Sequence, residues 1–179
     1  MKLDRQSFSI TTDRLILTPV SLNYKEEMFR EFTDEITKLM YSSTPKSIDE
    51  IISFIEASIH GFVERQEIVV AILHKETREY LGNAGLHQIN SRTPELGIWV
   101  KKSAQGNGYG KEAIKALKEW ADKHLLYDYV KYPVHIENIP SRKIPESLGG
   151  AIKDEYDKVN QSGVMFRAVE YRIYPPEKF

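Results

Sequence analysis

Gln105-Gly106-Asn107-Gly108-Tyr109-Gly110 stands between two segments of opposite periodicity. Before it, Glu95-Leu96-Gly97-Ile98-Trp99-Val100 reads as a strand. After it, Ala113, Ile114, Leu117, Trp120 and Ala121 share one face of a helix from about Gly108 to His124. Glycines let the backbone turn with positive φ and approach a ligand closely. Free N–H groups at the helix start point one way, and the helix dipole adds partial positive charge there. Strand, glycine turn and helix N-terminus together make an anion site, and phosphate is the usual anion.

Upstream, Leu15, Leu17 and Pro19 alternate with Arg14, Ile16 and Thr18 as a first strand. Residues 21–40 read as helical but irregular. Ser47-Ile48-Asp49-Glu50 has the pattern of a capping box. Behind it Ile48, Ile51, Ile52, Ile55, Ile59 and Phe62 form one apolar stripe on a helix ending near Gly61–Arg65. Ile68 to Leu73, Tyr80 to Ile89 and Glu95 to Val100 are joined by short polar connections and read as an antiparallel meander. Downstream, Tyr129 to Ile136 is a strand. Asn138-Ile139-Pro140 opens a short helix that Pro145 should kink or shorten and Leu148-Gly149-Gly150 should close. Residues 151–159 and 164–174 make a last strand pair. The order β-α-α-β-β-β-α-β-α-β-β describes a mixed α/β (α+β) sheet, expected as one domain over residues 1–179.

The 179 residues suffice for a substantial core, since a chain of this size buries roughly 70% of its unfolded surface. The formal net charge is -1, so no global basic field collects nucleic acid or anionic lipid. An anionic ligand must therefore be held by a local device. The absence of cysteine removes disulfides, thiolate metal sites and a cysteine nucleophile, and fits a reducing cytoplasm. The polar start, Met1 to Gln6, lacks the apolar core of a signal peptide, and no run of about 18 apolar residues spans a membrane. The five histidines do not form a His-x-x-x-His spacing, so no metal is expected. His87 and His135 fall on strands and read as packed or surface residues.

Three readings of the glycine segment compete on spacing. A phosphate-loop pattern fails because Gly110-Lys111 is followed by Glu112. A dinucleotide pattern fails because its third glycine position holds Lys111, and the segment lies past the midpoint of the chain. A tight turn without ligand is the third.

The segment resembles the coenzyme-A motif Gln/Arg-x-x-Gly-x-Gly/Ala of the GNAT N-acetyltransferases, matched by Gln105, Gly108 and Gly110. Thr12-Asp13-Arg14-Leu15-Ile16-Leu17, the strand Glu95–Val100, and Asn138-Ile139-Pro140-Ser141 continuing to Leu148-Gly149-Gly150 resemble motifs of its ribosomal-protein-alanine (RimJ/RimL-type) branch. The matches run in order from residue 12 to about 174.

The resemblance implies a six- to seven-stranded, mostly antiparallel sheet with about four helices, splayed between strands 95–100 and 129–136. Acetyl-CoA would lie in the gap as co-substrate. Backbone N–H groups of Gln105, Gly106, Asn107, Gly108, Tyr109 and Gly110 would cradle its diphosphate, with Lys111 beside them. Ile98, Trp99 and Val100 would pair with the pantetheine arm. Asn138 would bond the arm near its sulfur, and Ser141 would lie near the thiol. The Val100 N–H would hold the oxyanion. Pro140 and Pro145 bracket Ser141 and constrain that last contact. Relatives of this branch often pair as homodimers, although no feature of this sequence demands it.

Acetyl transfer needs a neutral amine, a stabilised oxyanion and a protonated leaving thiolate. An α-amine, with pKa about 7.7–8.0, costs roughly 1 kcal/mol to neutralise at pH 7; a lysine costs roughly 4.6 kcal/mol. Glu95 is the first candidate base, since Glu95, Gly97 and Trp99 share the strand face opposite Leu96, Ile98 and Val100. Glu137 reads as exposed and Tyr109 as a packing residue. The acceptor could be a protein N-terminal α-amine or a small amine. Residues 21–65, expected to line most of its cleft, carry no readable chemistry. Two rivals stand beside catalysis: a non-catalytic acyl-CoA sensor, and a nucleotide-binding enzyme.

Overall fold

A computed structural model describes residues 4–176. The first three residues of the polar N-terminal stretch lie outside that range. Eight strands form one sheet in the order β1-β2-β3-β4-β5-β6-β8-β7. They are β1 (Ile10–Thr11), β2 (Leu15–Pro19), β3 (Glu67–His74), β4 (Tyr80–His87), β5 (Glu95–Val100), β6 (Val130–His135), β7 (Ala151–Val159) and β8 (Met165–Ile173). Every neighbouring pair is antiparallel except β5 and β6. The strand count exceeds the expected six to seven because the two-residue β1 pairs with β2.

Among the described residues, five α-helices cover the sheet: α1 (Lys25–Glu31), α2 (Asp34–Thr37), α3 (Ile48–Val63), α4 (Tyr109–His124) and α5 (Ile139–Ser147). The irregular 21–40 segment divides into a 3-10 turn at Leu22–Tyr24, α1 and the single-turn α2. α4 presses Ala113, Ile114, Leu117 and Ala121 into the main core, against Leu86 and Leu96 of the sheet. α3 buries Ile51, Ile55 and Phe62. Ile51 and Ile55 join Val69, Ala71 and Leu73 of β3 and Met28 of α1 in a second core on the opposite face.

Ser47 does occupy the N-cap of α3, but its side chain makes no cap bond. Glu50 Oε2 instead accepts from the Lys46 N–H at 3.1 Å, so the expected reciprocal capping box is not formed. α5 ends two residues past Pro145. Its C-terminal carbonyls are closed by Leu148 and Gly150 N–H groups donating to the Pro145 carbonyl, with Gly149 at φ +78.

Ile55 is fully buried and contributes through packing alone. Ile55→Ala is expected to cost about 2–5 kcal/mol, read as a lower urea midpoint at unchanged slope.

Candidate active site

β5 and β6 share one register pair, Glu95 with Lys131, beside a bond from the Lys131 N–H to the Pro94 carbonyl. Beyond it the strands part. Backbone bonding alternates along a strand. The Lys101 N–H donates to Leu81 of β4, which fixes the alternation. Gly97 and Trp99 thus spend their backbone groups on β4, while those of Ile98 and Val100 face the gap. Gln105 Nε2 takes the Val100 carbonyl at 3.0 Å. The Ile98 N–H, Ile98 carbonyl and Val100 N–H are left facing a space that β6 does not fill. Trp99 therefore contributes its side chain to the site rather than the backbone pairing expected of it.

The glycine turn continues from this edge. Gly106 and Gly108 sit at φ +79 and +77, and Gly108 is the N-cap of α4. Among the described residues, the amides of Gly106, Asn107, Gly108, Tyr109, Gly110 and Lys111 donate to no protein acceptor. The Gln105 amide, expected in the same cradle, instead donates to the Lys102 carbonyl at 3.3 Å. Asn107 Nδ2 donates to the carbonyls of Ala104 and Gln105 at 3.1 and 3.2 Å, holding the turn in shape. Six free amides gathered at a helix N-terminus have the chemistry of an anion nest.

A side chain far away in sequence fixes this nest. Arg14 Nη1 donates to the Asn107 carbonyl at 2.9 Å, and its guanidinium lies 4.8 Å from the Tyr109 ring centre. Its Nε and backbone N–H both reach the Glu112 carboxylate, at 2.7 and 2.9 Å. The Thr12 hydroxyl donates to the same group at 2.6 Å. Partial burial works against the Glu112 charge, but these bonds prevail and hold its carboxyl below the usual carboxylate range.

The cleft beside the nest has a volume of about 660 Å³. Ile98, Val100, the glycine turn and Lys111 line it, with Asn138, Ser141 and Lys143 opposite. Asn138 caps α5, its Oδ1 accepting from the Ser141 N–H at 3.3 Å. Ser141 Oγ lies 2.8 Å from Tyr132 Oη. Burial pushes the Tyr132 hydroxyl up to about 12, against the opposing Ser141 bond, so at neutral pH it keeps its proton. The pair forms a short chain of hydroxyls opening on the cleft.

A second cleft of about 430 Å³ lies on the other face of β5. Residues 28–54 supply its upper walls, including Met28, Phe32, Phe54 and Glu50. The sheet supplies its floor, through Asn83, Gly85, His87, Gly97 and Trp99. Gln161, from the β7–β8 turn, bonds the Ser43 N–H and helps to close it. Met40, Ile98 and Trp99 line both clefts, so the two meet at β5. Asn83 is buried; its Oδ1 accepts from Tyr80, and its Nδ2 has no partner among the described residues.

Residues 14–151 match the family model for the acetyltransferase (GNAT) domain. The chain belongs to that family. This GNAT protein is an N-acetyltransferase by class. It is 27% identical over 161 residues to the uncharacterized N-acetyltransferase p20 of Bacillus licheniformis, covering 84% of this chain and 88% of that protein. Solved structures share its fold, two of them from one organism. A provisionally assigned ribosomal-protein-serine acetyltransferase of Vibrio cholerae superposes with a TM-score of 0.80 at 22% identity, covering 94% of this chain and 98% of the other. Spermidine N-acetyltransferase of Vibrio cholerae, solved with CoA and spermine, gives 0.79 at 17% identity, covering 92% and 97%.

Within this GNAT fold the residues anticipated for the donor gather in one cleft. Glu95 does not join them. It lies on the face of the second cleft but outside its lining, 3.7 Å from Lys131 Nζ. Glu137 is exposed. Arg14, Glu112, Tyr132 and Asn83 carry structural or polar roles that sequence spacing did not assign. Thr12-Asp13-Arg14 was visible as a motif, but its partner Glu112 lies 98 residues away from Arg14. Among the described residues no group of three metal-binding side chains gathers, and no helix is long and apolar enough to cross a membrane.

Glu112→Gln is expected to lower stability by about 1–2 kcal/mol at pH 7, near the low end because Arg14 is half exposed. A carboxyl held low contributes above its unfolded value of about 4.3, and the contribution fades as pH falls through the folded value. The thermal melts of variant and wild type should therefore draw together as pH falls below the ordinary carboxylate range and through the lowered folded value of Glu112.

Proposed function

We propose that the chain transfers the acetyl group of acetyl-CoA to a primary amine by direct attack, with both substrates bound together. The observation that carries this is the continuous run of unpaired backbone donors from the β5 edge through the glycine turn. In this reading the amides of Gly106 to Lys111 hold the diphosphate. The Ile98 N–H and carbonyl pair with the pantetheine arm as a neighbouring strand would. The Val100 N–H stabilises the oxyanion. Asn138 Nδ2 bonds the arm. Ser141, fed by Tyr132, passes a proton to the leaving thiolate.

The amine enters from the opposite cleft, where Ile98 and Trp99 are shared. The motifs at residues 12–17 and 138–150 favour the ribosomal-protein-alanine (RimJ/RimL-type) branch, and so an N-terminal α-amine over a lysine. The unpartnered Asn83 Nδ2 supports the same choice, since it offers a donor to the carbonyl oxygen beside an α-amine. Apolar walls of Met28, Phe32, Phe54 and Trp99 suit an apolar first side chain. We place the reaction in the cytoplasm.

Isothermal calorimetry with CoA tests the donor half: wild type should bind. Gly108→Val forces a β-branched residue to φ +77 and should weaken binding about tenfold or more, that is by about 1.4 kcal/mol or more. Thiol release tests the acceptor half. Phenylalaninamide should react with a kcat/KM about tenfold above that of phenethylamine, which lacks the carbonyl, and Asn83→Ala should erase the difference. Absence of CoA binding at millimolar concentration refutes the proposal.

A further inference from the structure

The sheet face beneath α3 carries its side chains in cross-strand rows. Glu67 of β3 stands opposite His87 of β4, and His87 opposite Glu95 of β5. The next row is Val69, Gly85 and Gly97. The third is Ala71, Asn83 and Trp99. Two glycines in the middle row leave a bare floor, with His87 at one end and Asn83 at the other.

His87 reaches over that floor. Its Nδ1 lies 2.6 Å from Glu67 Oε2. A carboxylate accepts, so Nδ1 carries the hydrogen, and in the neutral ring the lone pair is then on Nε2. A Cβ added at Gly85 would stand 2.4 Å from Nε2, and one at Gly97 would stand 3.8 Å away. Glu67 needs its own room, for a Cβ at Gly61 would fall 2.7 Å from Glu67 Cγ. Helix interiors disfavour glycine, and here one in α3 and one in β4 clear space for a single pair of side chains. Glu95, across the strand, leans to Lys131 instead.

We infer that His87 is the general base of the transfer and that Glu67 is its positioning residue. The inference rests on the acetyl-transfer reading above and names the group that prepares the acceptor in the same site. Nε2 takes one proton from the acceptor ammonium. The neutral nitrogen attacks the thioester carbonyl carbon, forming the C–N bond. Collapse of the tetrahedral intermediate breaks the C–S bond; the second nitrogen proton passes to water, and Ser141 gives one to the thiolate and recovers its own from water. His87 is about a third exposed and returns its proton to water, so each turnover yields amide, free thiol and one proton. The charged and titratable groups around the imidazole are Glu67, Glu95 with Lys131 behind it, Glu50 at the cleft wall, and Tyr156 of β7 beyond Glu95.

The test compares wild type, His87→Gln, His87→Asn and Glu67→Gln. CoA binding is read by calorimetry, and acetylation of phenylalaninamide and phenethylamine by thiol release across about pH 6 to 9. Both His87 variants should bind CoA and keep the wild-type KM for acetyl-CoA. Their kcat should fall about 100-fold or more at pH 7, the usual scale for a lost general base. They should lose the neutral-pH limb of the profile and regain rate as alkali neutralises the amine. Glu67→Gln should give a smaller loss and a displaced limb. Retention of the wild-type limb by the His87 variants overturns the inference. So does a loss seen only in KM, or a wild type that binds CoA and acetylates neither probe. Failure of the wild type to bind CoA is a different result, which removes the acetyl-transfer reading itself.

Discussion

Where two neighbouring strands run parallel, share one register pair and then separate, the inner one acquires an edge in the middle of a sheet. β5 is in that position. An unpaired backbone group shut away from water costs free energy of the order of a lost hydrogen bond. An internal edge of this kind is stable only if it is wet or filled. The remaining features can be read as the means of keeping it open. α4 leaves from the end of β5 and returns the chain to β6 from the other face. Gln105 removes one carbonyl from the unpaired set, and β8 fastens the far side of β6 through a full antiparallel ladder. The wedge is held apart by covalent connectivity and flanking pairs, so a ligand finds it already shaped.

Charge is handled in the same local way. A chain with a net charge of -1 cannot attract a polyphosphate by its overall field. Oriented amides and a helix dipole supply positive potential without any net cation. Arg14, the guanidinium nearest the turn, is matched by Glu112 and serves chiefly to hold the Asn107 carbonyl and the Tyr109 ring. Rigid dipoles need no reorganisation when the anion arrives. That is the physical requirement for holding one end of a long, flexible anion without closing around it.

Much of this arrangement was legible in the sequence, for a physical reason. Strand periodicity in 95–100, positive-φ glycines at 106 and 108, and the apolar face of 113–121 are local signals, and each had one structural outcome. The α5 segment was equally plain, because proline and glycine act on their own backbone. The failures are of another kind. Ser47 and Glu50 have the spacing of a capping box, yet Glu50 found a competing donor at Lys46. Glu95 lies on the anticipated face, but the Lys131 it leans towards comes from β6, on the far side of α4. The contact of His87 with Glu67, and the space cleared at Gly61 and Gly85, cannot be seen along one strand. Residues 21–65 gave little to read because the polar side chains on the floor of the second cleft, Asn83 and His87, come from the sheet beneath them.

The bond between Arg14 and the turn also has a kinetic side. Its members are separated by 93 residues, and the Glu112 contact by 98. Loop-closure entropy delays contacts of such span until intervening structure has formed. During synthesis the N-terminal strand must wait for the whole β3–β4–β5 meander and the start of α4 before its clamp exists. The shape of the glycine turn is therefore secured only once the chain has folded as far as Glu112, and a partly opened chain lacks the clamp.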